Sequence, residues 1–287
     1  MCEFCSKHGE GKKWYLQMEN YSEALLHEPI SEEQRAASGE ATRHAWVRRF
    51  FREFTLPAAE NALPVEEPQE SQAPGRIETE AERLRRRQLV HFGQVIPIEE
   101  VEQIFDQVDS ITRMPCGCRY ETTGKSNCRY CFGIAVERFG LLGEFLNPAH
   151  SLEVMEKDQA KTILRKFDRE GLIHSVWTGV SPYVIGVCNC DRDCGAYKGY
   201  IEQRGTPNFF RAEYVSQVDW ELCRGCKVCM QQCQFGAMFY SSALEKVYID
   251  PSRCFGCGVC RAVCKKDAIT LIPRENHPES AGVWLRP

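Results

Sequence analysis

Eight of the 17 cysteines in this 287-residue chain fall in two runs of identical spacing. The first is Cys223, Cys226, Cys229 and Cys233; the second is Cys254, Cys257, Cys260 and Cys264, and both read C-x2-C-x2-C-x3-C. Thiolates at this density suit a metal or an iron–sulfur core better than a disulfide framework. Three cysteines at successive intervals of three can wrap a four-iron core in one tight loop. The fourth, carried on the helix that follows, points the other way. Gly225, Gly256 and Gly258 let the backbone bend round the core, and nearby amides can donate to its sulfurs.

The doubled run resembles bacterial-type ferredoxins that carry two [4Fe-4S] clusters, over roughly residues 215 to 273, about a fifth of the chain. The resemblance implies crossed ligation: Cys223, Cys226, Cys229 and Cys264 around one cluster, and Cys254, Cys257, Cys260 and Cys233 around the other. Short alternating strands, 214–219 and 246–250, lead into the two runs. Ala237-Met238 and Ala268-Ile269 follow at matching offsets. One departure stands out. Ferredoxins of this kind usually carry proline after the fourth cysteine, where this chain has Gln234 and Lys265. Each substitution brings a backbone N–H and a polar side chain close to a cluster, which affects the potential but not the ligation. Two zinc sites are the competing assignment for the eight thiols.

Seven further cysteines lie upstream in C-x-C, C-x2-C and C-x-C-x3-C groups: Cys116 and Cys118, Cys128 and Cys131, then Cys188, Cys190 and Cys194. The pattern points to a metal or cluster site. Its first-choice ligands are Cys118, Cys131, Cys188 and Cys190, with Cys116, Cys128 and Cys194 as rivals. A third iron–sulfur cluster is favoured over a zinc ion because of the ferredoxin unit downstream. Cys2 and Cys5, followed by His8, form a terminal triplet that either caps a site built elsewhere or stays as free thiols. From Pro115-Cys-Gly-Cys-Arg119 through Cys188-Asn-Cys190 to the ferredoxin unit, residues 80 to 273, the chain resembles ferredoxin-fused proteins of anaerobic bacteria. That resemblance implies a cluster-rich redox protein.

The elements that must position these thiols follow from periodicity. Residues 32–54 read as one amphipathic helix with Trp46, Val47, Phe50, Phe51 and Phe54 on its apolar stripe, a core face or a partner-docking face. Residues 57–76, rich in Pro and Glu, read as a linker. Arg83, Arg85, Arg86 and Arg87, balanced by Glu78, Glu80 and Glu82, read as a charged helix face. Pro97 starts a helix whose buried stripe is Ile98, Val101, Ile104, Phe105 and Val108. A helix over 157–170 buries Ala160, Ile163, Leu164 and Phe167 and ends at Gly171. Two strands, 172–177 and 183–187, follow it and resemble the hairpin of a winged-helix unit, delivering Cys188 and Cys190 from a strand end. His174 reads as a satisfied structural residue. The expected class is α+β: a helical N-terminal arm (1–56), a linker (57–77), a mixed helical, winged-helix-like Cys-rich domain (78–213), a C-terminal two-cluster ferredoxin-like domain (214–273) and a tail (274–287).

A net charge of -4 gives no global nucleic-acid signal. No signal peptide and no transmembrane run stand out, so a reduced cytoplasmic setting is expected, with an anaerobic host or a protecting partner suggested by the clusters. No phosphate loop, Ser/His/Asp set or carboxylate pair rises above background. The residues favour one-electron transfer: a carrier, or the ferredoxin-like subunit of an oxidoreductase complex, serving redox partner proteins. Seven Lys/Arg against five Asp/Glu between 216 and 272, with two anionic clusters, leave a mild charge that suits a docked module. The competing classes are a reductase with an open-site cluster in the middle domain, and a redox- or metal-sensing regulator.

Overall fold

The computed structural model describes residues 13–60, 79–136, 152–192, 194 and 209–284. Cys2, Cys5 and His8, and all but four residues of the expected linker, lie outside them. Helices and antiparallel sheets alternate along the chain, an α+β arrangement. The central sheet is built from β1 (Gly93–Val95), β2 (Ile111–Met114), β3 (Cys131–Ile134), β4 (Glu153–Met155), β5 (Ile173–Thr178), β6 (Val184–Cys190) and β7 (Phe209–Phe210), in the order β4-β2-β3-β6-β5-β1-β7. Among the described residues only the β1–β7 pair is parallel. The expected strand pair 172–177 and 183–187 is β5 and β6, but it forms the middle of this sheet and not an exposed wing. All six residues of β5 are buried, because both faces of the sheet are covered.

Two layers do the covering. On one face lie α6 (Ile98–Gln107) and α8 (Lys157–Arg169), bringing Val101, Ile104 and Phe105, and Ala160, Leu164 and Phe167, onto Phe132, Val176, Val184 and Val187. Both apolar stripes are those read from the sequence. Full burial of each large side chain stabilises the fold by roughly 2 kcal/mol. On the other face Trp46, Val47 and Phe51 pack on Met114, Val136, Tyr183 and Ile185. A bulge separates the two sets: Trp177 pairs with Gly186 and Thr178 with Val184, leaving Ile185 without a partner across the ladder. The extra residue turns Val184 and Val187 to the same side.

The N-terminal segment is part of this body. It contains α1 (Glu23–His27), α2 (Glu32–Ser38), α3 (Arg43–Phe50) and α4 (Leu56–Glu60). The single helix expected over 32–54 is two helices, because Gly39 closes α2 in the left-handed region and Thr42 caps α3. Helical structure then continues past Pro57. A π turn over Phe51–Thr55 shifts the hydrogen-bond ladder, so the missing proline N–H is tolerated. The charged stretch after the undescribed segment is α5 (Glu80–Leu89), started by a Thr79–Glu82 capping box and joined to α2 by two Arg85–Glu33 hydrogen bonds of 2.9 and 3.1 Å.

The C-terminal part is internally duplicated with an offset of 31 residues, Cys223 to Cys254 and Cys226 to Cys257. Its strands are β8 (Tyr214–Val218), β9 (Met238–Ser241), β10 (Lys246–Ile249) and β11 (Ile269–Pro273), with short helices α9 (Val228–Gln232) and α10 (Val259–Ala262). The halves exchange partners: β8 pairs with β11 and β10 with β9, both antiparallel. Each two-stranded sheet therefore takes one strand from each copy, and neither copy completes a sheet alone.

Glu100 joins the three parts. Its buried carboxylate accepts from Tyr15 Oη (2.5 Å) and Tyr214 Oη (2.9 Å) and pairs with Lys13 Nζ at 2.7 Å. Tyr15 belongs to the N-terminal segment, Glu100 to α6 and Tyr214 to β8. Replacing Glu100 with Ala leaves two phenol groups without their acceptor, Tyr15 fully buried and Tyr214 half-buried. Lys13 is half-exposed and contributes little. We expect a loss of about 3 kcal/mol, read as a fall of several degrees in the thermal midpoint of anaerobic protein; an unchanged midpoint would show that the three parts are held together elsewhere.

Candidate metal centres

The duplication brings the eight C-terminal cysteines together in two neighbouring groups. Cys229 lies among Cys226, Cys264 and Cys223, while Cys257 and Cys260 lie among Cys254 and Cys233. The crossing has a local cause. Gly225 and its counterpart Gly256 both have positive φ, and a Cβ on either would collide with the backbone carbonyl of the other copy's strand entrance, Glu245 and Tyr214 respectively. Glycine at these two positions lets each cysteine loop press against the opposite repeat. Asp219 and Asp250 complete the swap: the Asp219 N–H donates to Ala268 O and the Asp250 N–H to Ala237 O, each 2.8 Å.

Backbone donors already aim at these sulfurs. Ala237 N–H reaches Cys233 Sγ at 3.3 Å and, at the matching position, Ala268 N–H reaches Cys264 Sγ at 3.4 Å. The N–H groups of Ser216 and Gly256 both lie 3.4 Å from Cys254 Sγ. Such donors stabilise thiolate and raise the potential of a bound cluster. Burial, then the neighbouring Cys226 and Cys264, pushes Cys229 up to about 11. Burial, reinforced by Cys254 and Cys233 and opposed by the Ser216 hydroxyl, pushes Cys260 up to about 12. These thiols hold their protons until a cationic core displaces them, as expected of cluster ligands. The donor set and its N–H cradle fit two four-iron cores.

Two buried arginines that sequence reasoning missed sit behind the second set. Arg274 donates to Ala212 O (2.7 Å), Tyr214 O (2.8 Å) and Cys254 O (2.9 Å). Arg211 donates to Cys254 O at 3.2 Å and stacks over Phe255 at 4.3 Å. Burial lowers both to about 10, Arg211 also through repulsion from Arg274, so both stay cationic at neutral pH. Arg274 lies in the stretch read only as a tail, with no motif to mark it.

The upstream cysteines gather at one end of the central sheet, where β2 ends, β3 begins and β6 ends. Cys131 Sγ lies 3.3 Å from Cys116 Sγ and 3.7 Å from Cys188 Sγ, and Cys194 Sγ lies 3.3 Å from Cys190 Sγ. Cys188 and Cys190, two apart on β6, also meet each other, and Cys118 and Cys116 lie near Cys194. Six sulfurs thus share one site. Of the first-choice ligands, Cys188 contacts both Cys131 and Cys190, and Cys118 lies near Cys194; the rivals Cys116 and Cys194 are equally part of the group. Cys128 contributes its carbonyl, which accepts from the Cys116 N–H at 2.8 Å. The described cysteines form no disulfide. Among the described residues no group of three His, Cys, Asp or Glu donors has the arrangement of a single-ion site, and this includes the ferredoxin-like cysteines.

Arg119, on α7 (Gly117–Thr123), pairs with Asp191 at 2.9 Å and covers the Tyr130 ring at 4.7 Å. Burial pulls its pKa down, but Asp191 more than reverses this, with Cys194 and Cys116 adding to the effect. The result is a fixed cation beside the thiols. His174 is buried with its Nδ1 2.6 Å from Asn189 Oδ1, but its buried Nε2, 3.5 Å from Asp168, has no hydrogen-bond partner among the described residues, so the satisfied role expected of it is met at one nitrogen only.

Residues 222–268 match the 4Fe-4S dicluster domain family. The C-terminus therefore carries a dicluster ferredoxin domain, and the match implies two [4Fe-4S] clusters. Similar proteins include an archaeal-type glutamate synthase [NADPH] of Thermotoga sp. (strain RQ2), 37% identical over 59 residues, which is 21% of this chain and 12% of that protein. Indolepyruvate oxidoreductase subunit IorA of Pyrococcus abyssi is 31% identical over 89 residues, 31% of this chain and 13% of the relative. One subunit of an ion-translocating oxidoreductase complex of Methanosarcina acetivorans is 41% identical over 49 residues, 17% of this chain and 18% of the relative. The chain spans less than a fifth of the length of each of these relatives. Among the described residues no helix is long and apolar enough to cross a membrane.

Removing the Arg274 charge next to Cys254 tests the electrostatic role of the buried pair. Arg274→Gln should lower the potential of one ferredoxin-domain cluster by tens of millivolts and leave the other nearly unchanged. Arg274→Lys, which keeps the charge, should shift it less. Potentiometric titration followed by EPR reads both; equal shifts in the two variants would mean that packing, not charge, matters there.

Proposed function

We propose that this chain is an iron–sulfur electron carrier of the bacterial ferredoxin type, fused to an upstream Cys-rich region, and that it serves as a ferredoxin-like module of a larger anaerobic oxidoreductase system in the cytoplasm. Cys223, Cys226, Cys229 and Cys264 hold one [4Fe-4S] cluster; Cys254, Cys257, Cys260 and Cys233 hold the other. The observation that carries the reading is the crossed duplication, in which each repeat supplies three thiols to one set and the fourth to its neighbour. The bound clusters supply one-electron transfer. The protein holds them in two cysteine cradles, directs backbone N–H groups at the thiolates and places fixed positive charge behind one of them.

The two sets differ in exposure, which suits a carrier with an entrance and an interior. Cys226 is exposed, whereas its counterpart Cys257 is half-buried. Around Cys226 lie exposed Arg224 and Lys227 and the exposed apolar side chains Trp220, Leu222 and Val228. A redox partner protein docking there would meet the cluster nearest to solvent. The similarity to parts of oxidoreductases supports the same reading. The six thiols upstream favour a carrier over a reductase with an open iron, since such a site would be short of ligands.

Cys226→Ala and Cys257→Ala test the assignment. Each should remove about four irons and one EPR signal of the dithionite-reduced protein, and each should destabilise the domain, because clusters also brace a small core. A variant that kept its full iron content and both signals would overturn the ligand sets.

A further inference from the structure

We infer that the upstream six-thiol site (Cys116, Cys118, Cys131, Cys188, Cys190 and Cys194) holds a third iron–sulfur cluster that exchanges electrons with the cluster at Cys254, Cys257, Cys260 and Cys233. The inference deepens the carrier reading and rests on it for the second half of the exchange.

The donor set is the first support. All six donors are sulfur, arranged as a row in which Cys131 touches Cys116 and Cys188, and Cys190 touches Cys188 and Cys194. Six thiols exceed the four ligands that one zinc ion takes and can supply the iron corners of a larger inorganic core. The supports are rigid: Cys131, Cys188 and Cys190 sit on paired strands in the middle of the sheet, where ligand geometry is held well. Arg119, buried beside the site and paired with the half-exposed Asp191, offsets part of the negative charge that thiolates bring.

The second support is the contact with the ferredoxin domain. Gln234, which stands where ferredoxins of this type carry proline, donates through Nε2 to Gly171 O at 2.6 Å and to Cys190 O at 3.3 Å. Arg192 Nη2 donates back to Cys233 O at 3.2 Å. Cys190 and Cys194 share one apolar group with Phe255, and Cys118, Cys188, Phe235 and Cys257 pack against it. Phe235 and Phe255 stack at 3.8 Å with their planes 8° apart. Thiols of both sites thus border one dry, tightly packed patch.

The third support is broken symmetry. At the positions equivalent to Gln234, Phe235 and Phe255, the other repeat has Lys265, Lys266 and Arg224, all exposed. Only the site that faces the upstream thiols, built from both repeats, has aromatic rings and an amide where the other has charge. Those substitutions build a contact and are not needed for ligation. In the exchange, one electron leaves the reduced ferredoxin cluster and the upstream cluster is reduced by one; no bond is made or broken. A low-potential one-electron donor protein at the Cys226 face refills the pair.

The test uses the full chain, reconstituted anaerobically with ferrous iron and sulfide, and Cys131→Ser, Cys190→Ser and the double variant. Iron and zinc are counted, and EPR spectra are taken during stepwise reduction. We expect about four irons beyond the eight of the ferredoxin domain, lost in the double variant while the eight and their signals remain, which also shows that the variant is folded. The reduced wild type should show spin–spin broadening of a ferredoxin-domain signal that disappears in the double variant. Eight irons with one zinc that the double variant releases, or eight irons and no further metal, would overturn the inference and leave the carrier reading standing. Twelve irons without the broadening would overturn the exchange. Four irons that vanish in the double variant, with none in the ferredoxin domain, would instead sink the carrier reading and remove the partner cluster that the exchange requires.

Discussion

Four thiolates do not gather in a dry site of their own accord. Each loses hydration on burial and repels the others, and the raised pKa values of Cys229 and Cys260 express this cost. A cationic core relieves it, and the protein must hold the sulfurs within reach until one arrives. Much of the architecture serves that need. The duplicated domain swaps strands, carbonyls and a cysteine between copies, so closing either site requires both copies to be folded. The central sheet does the same with ordinary means, bringing the ends of three strands to one place.

The swap also explains how two nearly equivalent sites came to differ. The loops, the N–H donors at Ala237 and Ala268 and the close carbonyl contacts at Gly225 and Gly256 repeat faithfully. The positions free of ligation diverged. Around the Cys226 site Arg224, Lys265 and Lys266 stay toward solvent; around the Cys257 site their counterparts Phe255, Gln234 and Phe235 turn against the upstream body. Among the described residues buried Arg211 and Arg274 lie behind the Cys254 site, where their charge favours the reduced state of a cluster. Exposure, apolar packing and fixed charge thus distinguish an outer site from an inner one while the ligation pattern stays the same.

The upstream body anchors this domain by polar as well as apolar contacts. Glu100 reaches Tyr214 at the entrance of β8, and Arg261 on α10 meets Glu99 at 2.6 Å. Exposed pairs such as the second are worth little alone, but the Glu100 network is mostly buried and includes the N-terminal Tyr15. The short stretches shared with glutamate synthase and oxidoreductase subunits are confined to a small fraction of those proteins, as expected of a cluster-bearing unit attached to different bodies.

The sequence by itself determined what is local. The spacing of Cys223 to Cys264 and the offsets of Ala237 and Ala268 identified the doubled ferredoxin unit. Helical periodicity marked α6 and α8, and Gly171 marked the end of α8, because side-chain burial repeats every 3.6 residues and termini need particular residues. Local rules also misled where two of them competed: the aromatic stripe from Trp46 to Phe54 hid the break at Gly39, and Pro57 concealed a helix that a π turn allows to continue. Only the tertiary structure decided which upstream cysteines meet. The Cys131–Cys188 contact depends on strands that pair across 57 positions of chain, and the bulge at Ile185 sets which face carries each residue of β6. The role of Gln234 was equally hidden: its departure from proline was visible, but its acceptors, Gly171 O and Cys190 O, belong to elements more than forty residues away. Long-range pairing and the direction of a side chain are set by the packing of the whole, and no window of sequence contains them.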